Sequence, residues 1–310
     1  MLCNVTMKLS LEPCLYFPIT IMRITHKIAA LTATLTTALS LLAAPAMAFS
    51  VEATNDIETL KNKLLGANTG SLSNFSLSIT GNADAFGNFT NDPFGLTSGV
   101  VLSTGKVATI PGENRQDNDK LNGSDLNTDL GPSGEEGDLT QLNLSFFADS
   151  TAKKLFFEYV FASEEFLEYG GSRFNDNFEL LLNGINFAKL TDGKTVTINN
   201  LVPDQNDRST DHPDYIDNPS LTGIAANIIK LDGFTKVLGF EGLLQQNQTN
   251  VLSIRIKDVG DGMLDSAVFI KGNSLGTIKA EAVPEPMTVG GLMAGGAMLA
   301  AGRKLRSRRK

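Results

Sequence analysis

The residues Leu155-Phe156-Phe157-Glu158-Tyr159-Val160-Phe161 decide the fold of this chain. In an extended segment successive side chains point to opposite faces, and this segment is apolar on nearly both of them. A strand of that kind is typically covered by other parts of the protein on both sides. The run therefore predicts a central strand of a β-sheet.

Other stretches alternate apolar and polar residues with a period of two, which is typical of strands with one buried face. A hairpin is predicted from Phe178 to Leu190, because Asn183-Gly184 supplies the positive φ angles of a type I′ turn. The alternating stretches contain the apolar sets Phe75, Leu77 and Ile79; Leu142, Leu144 and Phe146; and Leu252, Ile254 and Ile256.

One segment, from 55 to 65, carries a good helix signal. Asn55 and Glu58 are spaced as in a capping box, and Gly66 follows the last periodic residue. Elsewhere many short strands are separated by Gly, Asn and Asp clusters. This organisation predicts an all-β fold, an antiparallel and jelly-roll-like β-sandwich with one short N-terminal helix. The apolar face of the helix holds Ile57, Leu60 and Leu64.

Residues 22 to 48 follow the order of a secretory signal peptide. Basic residues precede an uncharged apolar run, and Ala46 and Ala48 form the A-x-A pattern of a cleavage site. We expect export through the Sec translocon and cleavage after Ala48 by signal peptidase. An uncleaved anchor is the alternative, but the apolar run is shorter than the roughly 20 residues of a spanning helix. Met22 is an alternative start, and residues 1 to 21 do not enter the fold prediction.

The C-terminal residues also have three parts. The motif Pro284-Glu285-Pro286 precedes an uncharged stretch from Met287 to Gly302, which is marginally long enough to span a membrane. A basic cluster follows and would hold that end in the cytoplasm. Taken alone, this pattern predicts a tail anchor with the globular part outside. The basic residues are Arg303, Lys304, Arg306, Arg308, Arg309 and Lys310.

Rare reactive residues lie almost entirely in the N-terminal segment. Cys3, Cys14 and His26 would be lost on cleavage, so the processed chain would keep no cysteine and only His212. Thiol nucleophiles, disulfide scaffolds, cysteine-based zinc sites and most histidine-dependent catalysis are thereby excluded. We expect His212, in a polar loop, to be a solvated residue.

Net charge changes strongly when the two ends are set aside. The whole chain has a formal net charge of −8, whereas residues 49 to 283 hold 17 basic and 32 acidic side chains, a net charge of −15. A surface of that charge repels nucleic acid and attracts cations.

Three acidic clusters lie where the predicted strands end. Sandwich strands that end at one edge can bring such loops together, and clustered carboxylates repel unless a cation or protons neutralise them. Calcium takes six to eight oxygen ligands in irregular geometry, so we predict a calcium site, although no loop matches an EF-hand. The candidate ligands are Glu164, Glu165, Asn175, Asp176, Asp258, Asp261 and Asp265.

Catalysis by these carboxylates is a competing interpretation. Glu164 or Glu165 could belong to a glycosidase pair, which requires two carboxyl groups about 5 to 9.5 Å apart. Adjacent residues of a regular strand point to opposite faces, so these two cannot serve one site together. The chain offers no convergent nucleophile and base, and we predict a non-enzymatic protein.

Several ordered motifs together resemble the choice-of-anchor L domain over about residues 57 to 272. They are the stretches 96–105, 159–166 with 174–176, 232–235, and 258–261 with 264–270. The C-terminal order resembles the PEP-CTERM sorting signal of Gram-negative bacteria, which an exosortase recognises and removes. The domains are therefore 1–48, the extension and signal peptide; 49–282, the choice-of-anchor L sandwich; and 283–310, the sorting signal.

The resemblance implies an exported, β-rich, surface or matrix module without an established activity or ligand. We expect transient anchoring in the inner membrane by the C-terminal helix, then a cell-surface or extracellular location. The expected role is adhesion or biofilm matrix, with calcium-stabilised acidic loops. An exopolysaccharide-binding module and an extracellular hydrolase are the alternatives, and other surface proteins are further candidate partners.

Overall fold

The computed structural model describes residues 48–115, 126, 128–130, 138–260 and 262–279. Within these residues, thirteen strands form two antiparallel sheets, which confirms the predicted all-β sandwich. The predicted signal peptide, apart from Ala48, and the predicted sorting signal lie outside the described residues. Within them, no helix is long and apolar enough to cross a membrane.

The larger sheet has eight strands in the order β1-β3-β4-β13-β6-β10-β9, and β11 pairs with β6 beside β10. The predicted central strand is β6, which has β13 on one side and β10 and β11 on the other. In chain order these strands are β1 (Ser50–Ala53), β3 (Phe86–Thr90), β4 (Ser98–Ser103), β6 (Lys154–Ser163), β9 (Tyr215–Asp217), β10 (Gly233–Thr235), β11 (Leu238–Leu243) and β13 (Ser266–Lys271).

The smaller sheet has five strands in the order β2-β5-β12-β7-β8. This sheet contains the three alternating stretches, and their side chains Leu77, Leu144 and Ile254 point into the sandwich. The period of two in each stretch predicts this arrangement. The strands are β2 (Leu72–Thr80), β5 (Leu139–Ala148), β7 (Asn177–Leu182), β8 (Ile185–Asn186) and β12 (Gln248–Lys257).

Strand β6 is covered on both faces, as its sequence predicts. One face sends Tyr159 and Phe161 against Phe178 of the smaller sheet, with ring centroids 5.1 and 6.4 Å apart. On the other face, Val160 and Ala162 belong to a second apolar cluster, built from the larger sheet and the loops around it. The burial of both faces is the reason why the run is almost continuously apolar.

Two local predictions differ from the structure by a few residues. Helix α1 (Ile57–Leu64) is capped by Asp56, which accepts the Thr59 N–H at 2.7 Å, and not by Asn55. The hairpin turn is confirmed, with positive φ at Asn183 and Gly184. The second strand of the hairpin ends early, at Asn186. The side chain of Asn186 accepts hydrogen bonds from two backbone N–H groups, and these bonds replace hydrogen bonds between the strands. Two short helices complete the fold, α2 (Phe166–Tyr169) and α3 (Ile198–Leu201).

Candidate functional site

The acidic residues at the strand ends lie at one end of the sandwich. Glu164 follows the end of β6, and the antiparallel neighbour β13 begins directly after Asp265. In the smaller sheet, Asp258 follows the end of β12, whose neighbours β5 and β7 begin directly after Asp138 and Asp176. We call these five residues the carboxylate cluster. All five are buried, with at most 4% of their surface exposed.

Asp176 connects the two sheets. One of its oxygens accepts the Ser266 hydroxyl at 2.6 Å, and the same hydroxyl lies 2.8 Å from that of Ser163 in β6. The other oxygen accepts the Val259 N–H at 2.9 Å, in the turn after β12. A fully buried carboxylate is therefore held by both layers of the sandwich.

A segment between β4 and β5 is attached to three other members of the cluster. The N–H groups of Leu126, Thr128 and Leu130 donate to carboxylate oxygens at 3.3, 2.9 and 2.6 Å. The acceptors are Glu164, Asp265 and Asp138 respectively. Three backbone N–H groups of this segment therefore meet three different carboxylates. We call residues 126 and 128–130 the anchored segment.

Burial strongly perturbs the carboxyl group of Asp265. Its side chain is 3% exposed, and burial, reinforced by the charge of Asp138, raises its pKa to about 7, against the opposing hydrogen bond from Thr128. Burial also raises the pKa of Asp138. Gly105 makes room for Asp265, because a Cβ there would lie 1.8 Å from its Oδ2.

Two of the remaining predicted ligands accept hydrogen bonds from the protein backbone. Asn175 accepts the Asn199 N–H at 2.9 Å, and Asp258 accepts the Gly262 N–H at 3.1 Å. Glu165 is 1% exposed. Asp261 lies outside the described residues. Within the described part of the chain, no three acidic, histidine or cysteine side chains are arranged to hold a metal ion, so calcium stays a prediction.

Two residues of interest were missed or misjudged from the sequence. Asp138 belongs to the cluster, and its position directly before an alternating strand, like that of Asp176, was the available signal. The prediction of a solvated His212 is wrong. The residue is 8% exposed, its Nδ1 accepts the Asp214 N–H at 3.1 Å, and its Nε2 lies 3.4 Å from Asp192.

An open groove of about 690 Å³ is lined by two lysines, by uncharged polar residues and by the apolar residues Ala67, Phe156 and Ile278. Lys154 pairs with Glu241, and the field of Lys279 also helps to lower the pKa of that glutamate. No carboxylate lines the groove among the described residues. We call it the lysine groove. Its principal lining residues are Asn68, Ser71, Lys153, Lys154, Phe156 and Thr277.

A model of the Choice-of-anchor L domain family matches residues 50–276. This chain belongs to the choice-of-anchor L family. The matched range begins with β1 and ends just after β13, so it includes both sheets and the carboxylate cluster. Comparisons with curated proteins and with solved structures found no match.

Membership in the choice-of-anchor L family agrees with a surface-anchored or secreted protein. The matched range includes the stretches 96–105, 159–166 and 258–270, which contain Gly105, Glu164 and Asp265. In this choice-of-anchor L domain, those motifs therefore include the walls of the carboxylate cluster and the glycine that makes room for it.

Proposed function

We propose that this choice-of-anchor L domain is a non-enzymatic adhesion or matrix module, exported by the Sec route and processed by an exosortase. The observation that carries the proposal is the structural role of the acidic side chains at the strand ends. The members of the carboxylate cluster are buried, and all five have oxygens that accept hydrogen bonds from backbone or serine groups. Asp176 joins the two sheets, and three other members hold the anchored segment. These acids therefore have a structural task, and binding is left to the outer surface.

Cells that lack this protein are expected to attach to a surface several-fold less than wild-type cells. Purified protein from expression of the full sequence, added back to the mutant cells, should restore attachment. The measurement is the fraction of cells retained under flow. Equal retention of mutant and wild-type cells would contradict an adhesive role.

The same assay separates adhesion from hydrolysis. Glu164→Gln and Glu165→Gln each keep the shape of the side chain and its acceptor oxygen, but remove the acid. A binding module should restore attachment with either variant, whereas a glycosidase that depends on one of these acids should fail with that variant.

Calcium binding is the second part of the proposal. Its support is the number of buried carboxylates at one end of the sandwich. A ligand that binds only the folded state stabilises it, by about 2.7 kcal/mol at one hundred times its Kd. Millimolar calcium is therefore expected to raise the Tm of the full chain by several degrees over the value in chelator, with magnesium as control. Identical melting in all three conditions would remove calcium from the proposal.

Exopolysaccharide binding is the second candidate function, and the lysine groove favours it. The groove presents two lysines beside amide and hydroxyl groups in a chain whose overall charge is negative. Lysine charges attract carboxylates of an acidic polymer, and the open shape admits an extended chain. The ligand class is therefore an anionic polysaccharide.

Replacing Lys153 and Lys154 with alanine is expected to weaken binding to polygalacturonate several-fold. The loss should shrink at high salt, because exposed charges are screened. The matched control replaces Lys106 and Lys236, which are exposed and lie outside the groove. Retention on immobilised polygalacturonate, compared with neutral dextran, measures the effect. An equal loss in the control pair would indicate a general charge effect and count against the groove.

A further inference from the structure

The edges of the two sheets differ in how they are protected. Edge strands expose unpaired N–H and C=O groups, and proteins usually keep them short or charged. Strand β1 has four residues and carries Glu52, β9 has three and carries Asp217, and β8 has two. The outer edge of β11 carries Glu241 among six residues, of which two are glycine.

Strand β2 is the exception. It has nine residues, Leu-Ser-Asn-Phe-Ser-Leu-Ser-Ile-Thr, with neither a charge nor a proline. It pairs with β5 on one side, and no described strand pairs with its other side. A bulge between Ser73 and Ser76, where Asn74 has a φ of 56°, interrupts its first part. Helix α1 contacts β2, but no described strand pairs with the outer edge of the regular segment Ser76–Thr80.

Two apolar side chains of β2 are incompletely covered. Phe75 and Ile79 are only half-buried, although both pack against the main core. They belong to the last strand of the sheet, so a strand added beside β2 would lie next to them and cover their exposed sides. The added strand would bring its own apolar residues to the same face.

We propose that β2 is a self-association edge, where a second copy of this chain adds its own β2 antiparallel to the first. A two-fold axis brings the same strand from both copies together, and the result is an antiparallel pair. The midpoint of the regular segment is Ser78, so Ser78 faces its equivalent, and Leu77 faces the partner's Ile79. An uncharged strand suits this arrangement, because like charges directly opposite each other are destabilising. The two five-stranded sheets become one continuous sheet. The inference goes beyond the proposed function and does not depend on it.

A cysteine at position 78 tests the pairing directly. Opposed residues of an antiparallel pair have Cα atoms about 4.5 to 5.5 Å apart, which lies within the usual range for a disulfide. The chain with Ser78→Cys, purified after expression of the full sequence, is expected to form a disulfide-linked dimer under mild oxidation. The matched control is Ile185→Cys, which is 62% exposed on β8, the opposite edge of the same sheet. The wild-type chain reports any contribution from Cys3 and Cys14.

A charge at the same position tests the association without a crosslink. Ser78 is exposed, so Ser78→Lys should fold with the Tm of the wild-type monomer. In a dimer the substitution would place two lysines opposite each other. Sedimentation equilibrium from micromolar to millimolar protein is expected to give a wild-type mass that rises toward twice the monomer, and a lower dimer fraction for Ser78→Lys than for Ile185→Lys. A wild-type chain that stays monomeric, a dimer fraction equal in both lysine variants, or equal crosslinking of both cysteine variants would overturn the proposal. Dimers that crosslink at position 78 and dissociate with Ser78→Lys would support it.

Discussion

Asparagine at position 265 is expected to make the folded protein more stable near neutral pH and to remove most of its loss of stability between about pH 4 and pH 7. The cause is the burial of the Asp265 carboxyl, which raises its pKa to about 7. In the unfolded chain the same group titrates near pH 3.9. Between these two values the folded protein holds a proton that the unfolded chain has released.

The sign of the effect follows from that difference. Stability falls with rising pH wherever the folded state binds more protons, here by about 1.4 kcal/mol per pH unit. Over the whole window the loss amounts to about 4 kcal/mol, and it is complete above the folded pKa. Asparagine resembles the neutral acid, because its carbonyl oxygen still accepts the Thr128 N–H and it carries no charge.

Urea denaturation in the presence of chelator, from pH 4 to pH 8, measures the effect. The wild-type free energy of unfolding should decline across this range, and that of Asp265→Asn should be flatter and higher at pH 7. Asp84→Asn serves as the control, since Asp84 is an exposed turn residue. A variant less stable than wild type at pH 7 would show that the ionised carboxylate stabilises the fold.

The fold was largely predictable from local patterns. The run 155–161 predicted a strand buried on both faces, because its side chains are apolar on nearly both faces. The exact ends of the helix and of strand β8 were not predictable from these patterns. Asn55 and Asp56 are adjacent residues that can both cap a helix, and only the geometry of the entering chain selects Asp56. Asn186 shortens β8 through side-chain bonds that no periodicity reveals.

The site was predictable in its location and not in its chemistry. In an antiparallel pair, one strand begins beside the end of its neighbour. Acids at strand ends were therefore expected at one edge of the sandwich, where Glu164 and Asp265 indeed lie. Their main partners are backbone N–H groups of the anchored segment, 38 residues from Glu164 and 137 from Asp265. Local sequence patterns do not predict hydrogen bonds between residues that lie so far apart in the chain. His212 was misjudged for the same reason, since one of its flanking acids is the distant Asp192.

Alanine at position 99 is expected to cost about 3 kcal/mol or more of folding free energy, at the upper end of the usual cost of overpacking a core. Gly99 lies in β4 between β3 and β13. A Cβ there would lie 1.8 Å from the carbonyl oxygen of Ile270 and 2.8 Å from the ring of Phe89. The first contact is with the backbone of a paired strand, so relief requires moving β13 away from β4.

The matched control for that substitution is Gly239→Ala in β11, where nothing lies within 4 Å of an added Cβ. Gly239 has a φ outside the left-handed region, so alanine there should change stability by less than about 1 kcal/mol, in either direction. Urea midpoints of the two variants, compared at equal slope, measure the difference. Because β13 begins directly after Asp265, a strand displaced by Gly99→Ala should also loosen the anchored segment and expose its amides to hydrogen exchange. A Gly99→Ala protein as stable as Gly239→Ala would contradict the close pairing of β4 with β13.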